Sequence, residues 1–165
     1  MVYYFDEIMK MQRIPDAFSR WRHYREELTS YILKQAKKEH WNSFVYLGCG
    51  ECNDINLKRL SEQIPNIVLL DRQEPFLNTI EEKYELKEGT LSFFELDLAG
   101  LSIEFFYGFE ELLMKKSRVE ELIKYLSYVE DEIDKPYPML DSHEWDACCC
   151  VGIHSQCITP FAVLM

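Results

Sequence analysis

Short apolar runs alternate with longer amphipathic stretches along the first hundred residues, and this alternation predicts the secondary structure. The apolar runs have the length and composition of buried strands; they are "SFVYL" (43–47), "NIVLLD" (66–71) and "LSFFELD" (91–97). The amphipathic stretches repeat apolar residues at helical spacing; they cover 16–40, 55–64 and 75–86. Strands that alternate with helices in this way predict a parallel sheet in an α/β fold.

The second half of the chain continues this pattern after a helical interruption. Apolar residues at helical spacing, among them Val119, Leu122 and Leu126, predict a helical insertion at about 104–140. The run "WDACCCVGI" (145–153) then predicts a fourth buried strand. No linker or repeat divides the sequence, so we expect a single domain over 1–165 with an N-terminal helical cap at 1–41.

Composition excludes several classes of function. The formal net charge of −11 would repel a phosphate backbone, so we expect no nucleic acid partner. No apolar run is long enough to span a membrane, and the N-terminus lacks the pattern of a secretory signal. The chain has six cysteines, three of them consecutive, which do not form a regular disulfide framework. We therefore expect a cytoplasmic protein with reduced cysteines.

The stretch "SFVYLGCGECND" (43–54) combines a glycine turn with a CxxC pair. Gly48 and Gly50 follow the first predicted strand, where glycine allows a tight turn and close approach of a ligand. Asp71 ends the second strand, 21 positions after Gly50, near the spacing of a ribose-binding carboxylate. Asp97 ends the third strand and is suited to an adenine amine. An ordinary turn and an N-cap explain the same residues equally well at this point.

Taken in order, these motifs resemble class I S-adenosylmethionine-dependent methyltransferases. The resemblance covers about residues 16–157 and rests on "YLGCGECNDINLKRL", "IVLLDRQEPFL", "FFELDLAGL" and "WDACCCVGIHSQ". More narrowly, "GCGECNDINL" followed by "LLDRQ" and "DLAGL" is similar to bacterial members of that family. Tyr46 stands where the family usually has an acidic residue, and Cys52 where it usually has a third glycine. The resemblance implies a Rossmann-like methyltransferase fold with the strand order 3-2-1-4.

The resemblance also implies a cofactor site for S-adenosylmethionine. The implied binding residues follow the C-terminal ends of the four strands: Gly48, Cys49, Gly50, Asp71, Arg72, Asp97, Leu98, Val151 and Gly152. The glycine turn would pass under the methionine part, the two aspartates would contact the ribose and the adenine, and the residues after the fourth strand would lie near the sulfonium. The implied reaction is methyl transfer to an unknown substrate. Catalysis would consist mainly of alignment. His154 is a weak catalytic candidate, since a lone histidine at a strand–helix junction is more often a cap.

Two other functions remain open. A degenerate methyltransferase fold would act as a non-enzymatic binding or interaction protein. A thioredoxin-like protein would use Cys49 and Cys52 as a redox pair at the start of a helix. We expect that these two cysteines are not a functional redox pair and that no metal is bound, because two cysteines supply only half of a zinc site.

The predicted sheet lacks the three further strands that this fold usually has. The fourth strand would then be an unpaired edge, uncharged along its apolar run. We therefore expect either a truncated product with weak methyl transfer or a homodimer formed through residues 146–165.

Overall fold

The computed structural model describes residues 14–71, 77–96, 102–133 and 144–151, together with Tyr4 and Glu7. The described strands are β1 (Ser43–Leu47), β2 (Asn66–Asp71), β3 (Leu91–Glu95) and β4 (Ala147–Cys150). The described helices are α1 (Ala17–Arg20), α2 (Arg22–Glu39), α3 (Leu57–Ser61), α4 (Leu77–Lys83), α5 (Ile103–Met114) and α6 (Val119–Ile133).

All four strands form one parallel sheet in the order β3-β2-β1-β4. The predicted parallel sheet and its strand order are therefore confirmed, and the architecture is α/β. In register, Phe44 of β1 pairs with Ile67 of β2 on one side and with Ala147 of β4 on the other. The chain moves outward from β1 to β3 and then crosses back to β4, so the topological switch point lies between β1 and β4. Open α/β sheets bind ligands at the carboxyl ends of the strands beside such a point.

One face of the sheet carries the main core. Tyr46 and Leu69 are fully buried there, in one cluster with Ile32 of α2 and Leu60 of α3. The central strands β1 and β2 are buried along most of their length, whereas in β3 only Leu91 is buried, and in β4 half-buried and exposed residues alternate. This difference explains why the central strands read as continuous apolar runs.

Two helix boundaries differ from the prediction for local reasons. The helix predicted over 16–40 is divided at Trp21, and it begins after Asp16, which has a left-handed backbone with φ of 56°. The helix predicted over 55–64 covers only Leu57–Ser61, because the Asn56 side chain accepts the backbone N–H of Arg59 and caps it there. Residues 51–56 therefore form a loop between the glycine turn and α3.

Backbone contacts divide the chain into two compact units. The sheet unit comprises Pro15–Leu98 and His143–Ile153. In it, Asp146 Oδ2 accepts hydrogen bonds from the backbone N–H groups of Asn42 and Ser43 and from the Ser43 hydroxyl, which fixes the start of β4 against the start of β1. These bonds lower the pKa of Asp146.

The helical unit includes α5 and α6, which pack against each other. The Tyr125 hydroxyl of α6 donates to the Phe105 carbonyl oxygen of α5 at 3.0 Å, and the two rings stack with centroids 4.9 Å apart. Two helices, α5 and α6, thus lie within the predicted helical insertion at about 104–140, of which 134–140 lie outside the described residues. That both units belong to a single domain stays a prediction. Within the described part of the chain, no helix combines the length and the apolar character needed to cross a membrane.

Candidate functional site

The turn after β1 has the left-handed backbone that its glycines allow. Gly48 and Gly50 have φ angles of 60° and 49°. The N–H groups of Gly48 and Cys49 both donate to the Leu70 carbonyl oxygen of β2, at 2.7 and 3.3 Å. The N–H of Gly50 donates to Asp71 Oδ2 at 2.7 Å. Three consecutive amides of the turn are thus bonded within the protein.

Gly50 is exposed, and its α-carbon faces open space. A Cβ added at this residue would meet no heavy atom within 4 Å. A ligand can therefore reach the backbone at Gly50 directly. The side chain of Cys49, by contrast, is buried in the core, so only its backbone is accessible to a ligand at the turn.

The loop 51–56 is fixed by side chains from α2 and α4 rather than by its own backbone. The Lys83 ammonium donates to the Glu51 carbonyl oxygen, and Arg25 Nη1 donates to that of Asn53 at 3.1 Å. The Tyr84 hydroxyl, which has one hydrogen, lies 2.5 Å from the Cys52 carbonyl oxygen and 2.6 Å from that of Ile55.

At the end of the loop, Thr29 joins α2 to the cap of α3. Its hydroxyl accepts the Asn56 N–H at 2.8 Å and donates to the Arg25 carbonyl oxygen at 2.6 Å. Thr29 is fully buried, and its hydroxyl satisfies the backbone N–H of the half-buried Asn56.

Phe18 lies between the two cations that hold the loop. The Arg25 guanidinium is 3.9 Å from the centre of the Phe18 ring, and the Lys83 ammonium is 4.7 Å from it. Arg25 is buried and also donates to the Phe18 carbonyl oxygen at 2.7 Å. Burial lowers the pKa of Lys83. These contacts attach the N-terminal helices to the loop beside the glycine turn.

The CxxC pair forms part of the core. Cys49 and Cys52 are both buried thiols without a disulfide. A hydrogen bond with Cys49 and burial raise the pKa of Cys52. The following helix begins only at Leu57, so neither thiol lies at a helix N-terminus. A reactive pair needs the opposite environment, with an accessible thiol and a lowered pKa.

A second carboxylate, that of Asp54, lies in the loop four residues after Gly50. Asp54 is half-buried, and its Oδ2 accepts a hydrogen bond of 3.0 Å from the Tyr46 hydroxyl. Burial raises the pKa of Asp54, against the lowering effect of Tyr46 and Arg25. Tyr46 is fully buried, and burial likewise raises its pKa. The position where the resembled family usually has an acidic residue therefore holds a tyrosine that contacts a carboxylate eight residues later.

The structure brings together part of the predicted site. Gly48, Cys49, Gly50 and Asp71 meet at the carboxyl ends of β1 and β2. Val151 directly follows β4 and is half-buried. The other predicted residues lie outside the described residues: Arg72, Asp97, Leu98, Gly152 and the catalytic candidate His154.

Sequence reasoning missed two residues at this site, Asp54 and Lys83. Asp54 contacts Tyr46, eight residues away, and Lys83 contacts Glu51, 32 residues away, so folding alone brings each pair together. The one available signal was the tyrosine at position 46, whose hydroxyl needs a partner when it is buried.

Within the described ranges, no three or more His, Cys, Asp or Glu residues are grouped so that they could hold a metal ion. Comparison with protein-family models and with curated proteins gave no match to this chain.

Proposed function

We propose that this chain binds S-adenosylmethionine at the glycine turn and transfers its methyl group to an acceptor. The observation that carries the proposal is that the three backbone N–H groups of the turn already donate hydrogen bonds within the protein. Because Leu70 and Asp71 accept from Gly48, Cys49 and Gly50, these donors are not offered to a phosphate. A dinucleotide bound in the usual way needs such amide donors for its pyrophosphate.

The charge at this edge of the sheet supports the same conclusion. Asp71 lies against the turn itself, and Asp54 follows it in the loop. The cations Arg25 and Lys83 also lie at this loop, but they donate to its carbonyl oxygens. The carboxylates of Asp54 and Asp71 disfavour a pyrophosphate and favour a cationic group. S-adenosylmethionine has a nucleoside part without phosphate and a positively charged sulfonium. When bound, it would supply a methyl carbon that an acceptor nucleophile can attack.

The described residues fit this cofactor. The exposed Gly50 backbone accommodates a ligand without steric conflict, since the space that a Cβ would occupy is open. Asp71 is suited to the ribose hydroxyls, because a carboxylate has about four acceptor positions and the Asp71 carboxylate lies directly against the glycine turn. The hydrogen bond from the Gly50 N–H fixes the orientation of the carboxylate.

The thioredoxin-like alternative has less support. Cys49 and Cys52 are buried, and the pKa of Cys52 is raised. A non-enzymatic fold that binds the cofactor without transferring its methyl group is the remaining alternative. Release of S-adenosylhomocysteine in the presence of acceptor candidates distinguishes it from a methyltransferase.

Isothermal titration calorimetry tests the binding. The parent protein should bind S-adenosylmethionine and S-adenosylhomocysteine but not NAD. Asp71→Ala should weaken both by roughly 10- to 100-fold, since a hydrogen bond to a charged group contributes about 1.5–3 kcal/mol.

Asp71→Asn is the matched control for the turn. It keeps an acceptor for the Gly50 N–H but has one acceptor fewer for the ribose, so it should also weaken binding. If Asp71→Asn binds S-adenosylmethionine as tightly as the parent does, Asp71 holds the turn but does not contact the ribose. A parent protein that binds NAD and not S-adenosylmethionine would refute the proposed function.

A further inference from the structure

Within the part of the chain that the structure describes, the Asp54 carboxylate accepts a hydrogen bond but has no direct ion-pair partner. Its Oδ2 is held by the Tyr46 hydroxyl, a neutral donor. The Arg25 guanidinium is close enough to lower the pKa of Asp54, yet it donates to the backbone oxygens of Phe18 and Asn53. None of the ion pairs among the described residues includes Asp54.

The position of this carboxylate coincides with the topological switch point. Tyr46 is the penultimate residue of β1, and its register partner on β4 is Cys149. Asp54 contacts Tyr46 and follows Gly50 by four residues. It therefore lies at the carboxyl end of β1 beside β4, where an open α/β sheet receives its ligand.

A half-buried carboxylate without a direct ion-pair partner is unfavourable, because burial penalises its charged form; the net pKa of Asp54 stays raised although Tyr46 and Arg25 lower it. A cationic ligand group that reached Asp54 would remove this penalty and form a charge-assisted hydrogen bond. The Tyr46 hydroxyl would hold the carboxylate in place before the ligand arrives, so little orientation would be lost on binding.

We propose that Asp54 binds an alkylammonium group of the ligand at the glycine turn, and that Tyr46 is the residue that positions Asp54. The inference rests on the proposed function for the identity of that ligand. The ammonium belongs either to the amino acid part of the cofactor or to an amine that accepts the methyl group. Both sources share one chemistry, a protonated alkylamine, and the experiment separates them.

Calorimetry with Asp54→Asn, which preserves size and removes the charge, provides the test. S-adenosylhomocysteine has the amino acid part, whereas 5′-methylthioadenosine lacks it. If the ammonium belongs to the cofactor, Asp54→Asn should bind S-adenosylhomocysteine roughly 10- to 100-fold more weakly and 5′-methylthioadenosine as the parent does. Unchanged binding of 5′-methylthioadenosine also shows that the variant has folded.

The second arm uses n-butylammonium, titrated into the S-adenosylhomocysteine complexes of the parent and of Asp54→Asn. Binding by the parent complex and none by the variant assigns Asp54 to an acceptor amine. If Asp54→Asn changes neither titration, this inference is wrong while the proposed function stands. If the parent binds neither nucleoside, the proposed function fails and the inference fails with it.

The role of Tyr46 has a separate readout in the pH dependence of binding. The titratable or charged groups around Asp54 lie on α2, β1, α4 and β4: Tyr24, Arg25, Tyr46, Tyr84 and Cys149. The tyrosines have raised pKa values and Cys149 has a pKa raised to about 11, so they stay neutral in acid. Affinity for the ammonium should therefore fall as the pH decreases through the pKa of Asp54.

Tyr46→Phe removes a hydrogen bond that lowers the pKa of Asp54 and keeps the buried ring. The pH midpoint of binding should move to a higher value in this variant. A midpoint unchanged from that of the parent would contradict the positioning role, whatever happens to stability.

Discussion

Gly108→Ala should destabilise the helical unit, although alanine is normally the better residue inside a helix. A Cβ at Gly108 in α5 would lie 2.1 Å from the Tyr125 hydroxyl oxygen and 3.0 Å from the ring carbon that bears it. The first distance is more than 1 Å below the 3.4 Å at which ordinary contact begins. Tyr125 must therefore move if the methyl group is added.

The magnitude follows from opposing terms. Helix propensity favours alanine over glycine by about 1 kcal/mol. Overpacking costs about 1–3 kcal/mol. Displacing Tyr125 also loses its hydrogen bond to Phe105, worth about 1 kcal/mol, and part of the ring stacking, worth about 0.5–1.5 kcal/mol. We expect a net loss of about 1–4 kcal/mol.

Hydrogen exchange of the amides in α5 and α6 measures this loss locally. The three tryptophans lie at positions 21, 41 and 145, in the sheet unit, so their fluorescence reports the unfolding of that unit. Gly108→Ala should accelerate exchange in the two helices. In a Tyr125→Phe background the nearest atom would be the ring carbon at 3.0 Å, so the same substitution should cost less. Increased protection in Gly108→Ala would refute the steric argument.

Three further predictions concern the sheet unit. Thr29→Val leaves the Asn56 N–H without its acceptor and should cost about 1 kcal/mol in urea unfolding, whereas Thr29→Ser, which keeps the hydroxyl, should cost less. The hydrogen bonds to Asp146 lower its pKa in the folded protein. Its carboxylate therefore stabilises the fold above the unfolded pKa of about 4, and this stabilisation is lost as the pH falls through the folded pKa. Asp146→Asn should lower the urea midpoint at pH 7 and hardly change it at strongly acidic pH. Iodoacetamide should modify the exposed Cys148 of the native protein faster than the buried Cys52, as followed by peptide mass spectrometry, and equal rates would contradict the burial.

The fold was predictable where local pattern and tertiary structure agree. The strands at 43–47 and 66–71 match the structure residue for residue, because both are buried centrally and read as continuous apolar runs. The glycine turn was predictable because Gly48 and Gly50 adopt the backbone that glycine favours. The proximity of Asp71 to the turn followed from the common edge of parallel strands.

The rest of the site depends on contacts between segments that are distant in sequence. Arg25 and Lys83 each donate to a carbonyl oxygen of the loop, and no local pattern in the sequence indicates these contacts. The start of α3 was misplaced because Asn56 caps the helix while Thr29, 27 residues earlier, accepts its N–H. The spacing of apolar residues indicates which side chains are buried. It does not indicate which polar side chains form hydrogen bonds with the backbone of a loop.

The way in which the loop is held has a consequence for ligand binding. Side chains from α2 and α4 bond the backbone of 51–56, so the loop takes its shape when these helices pack on the sheet. The adjoining turn is fixed in the same way by Leu70 and Asp71 of β2. A ligand at Gly50 would therefore meet a surface that is already ordered, and it would lose little affinity to the ordering of loops. Because the amide donors of the turn are bonded to β2, they are not available to a phosphate group. The surface is therefore better suited to a ligand with hydroxyl and cationic groups than to one with phosphate.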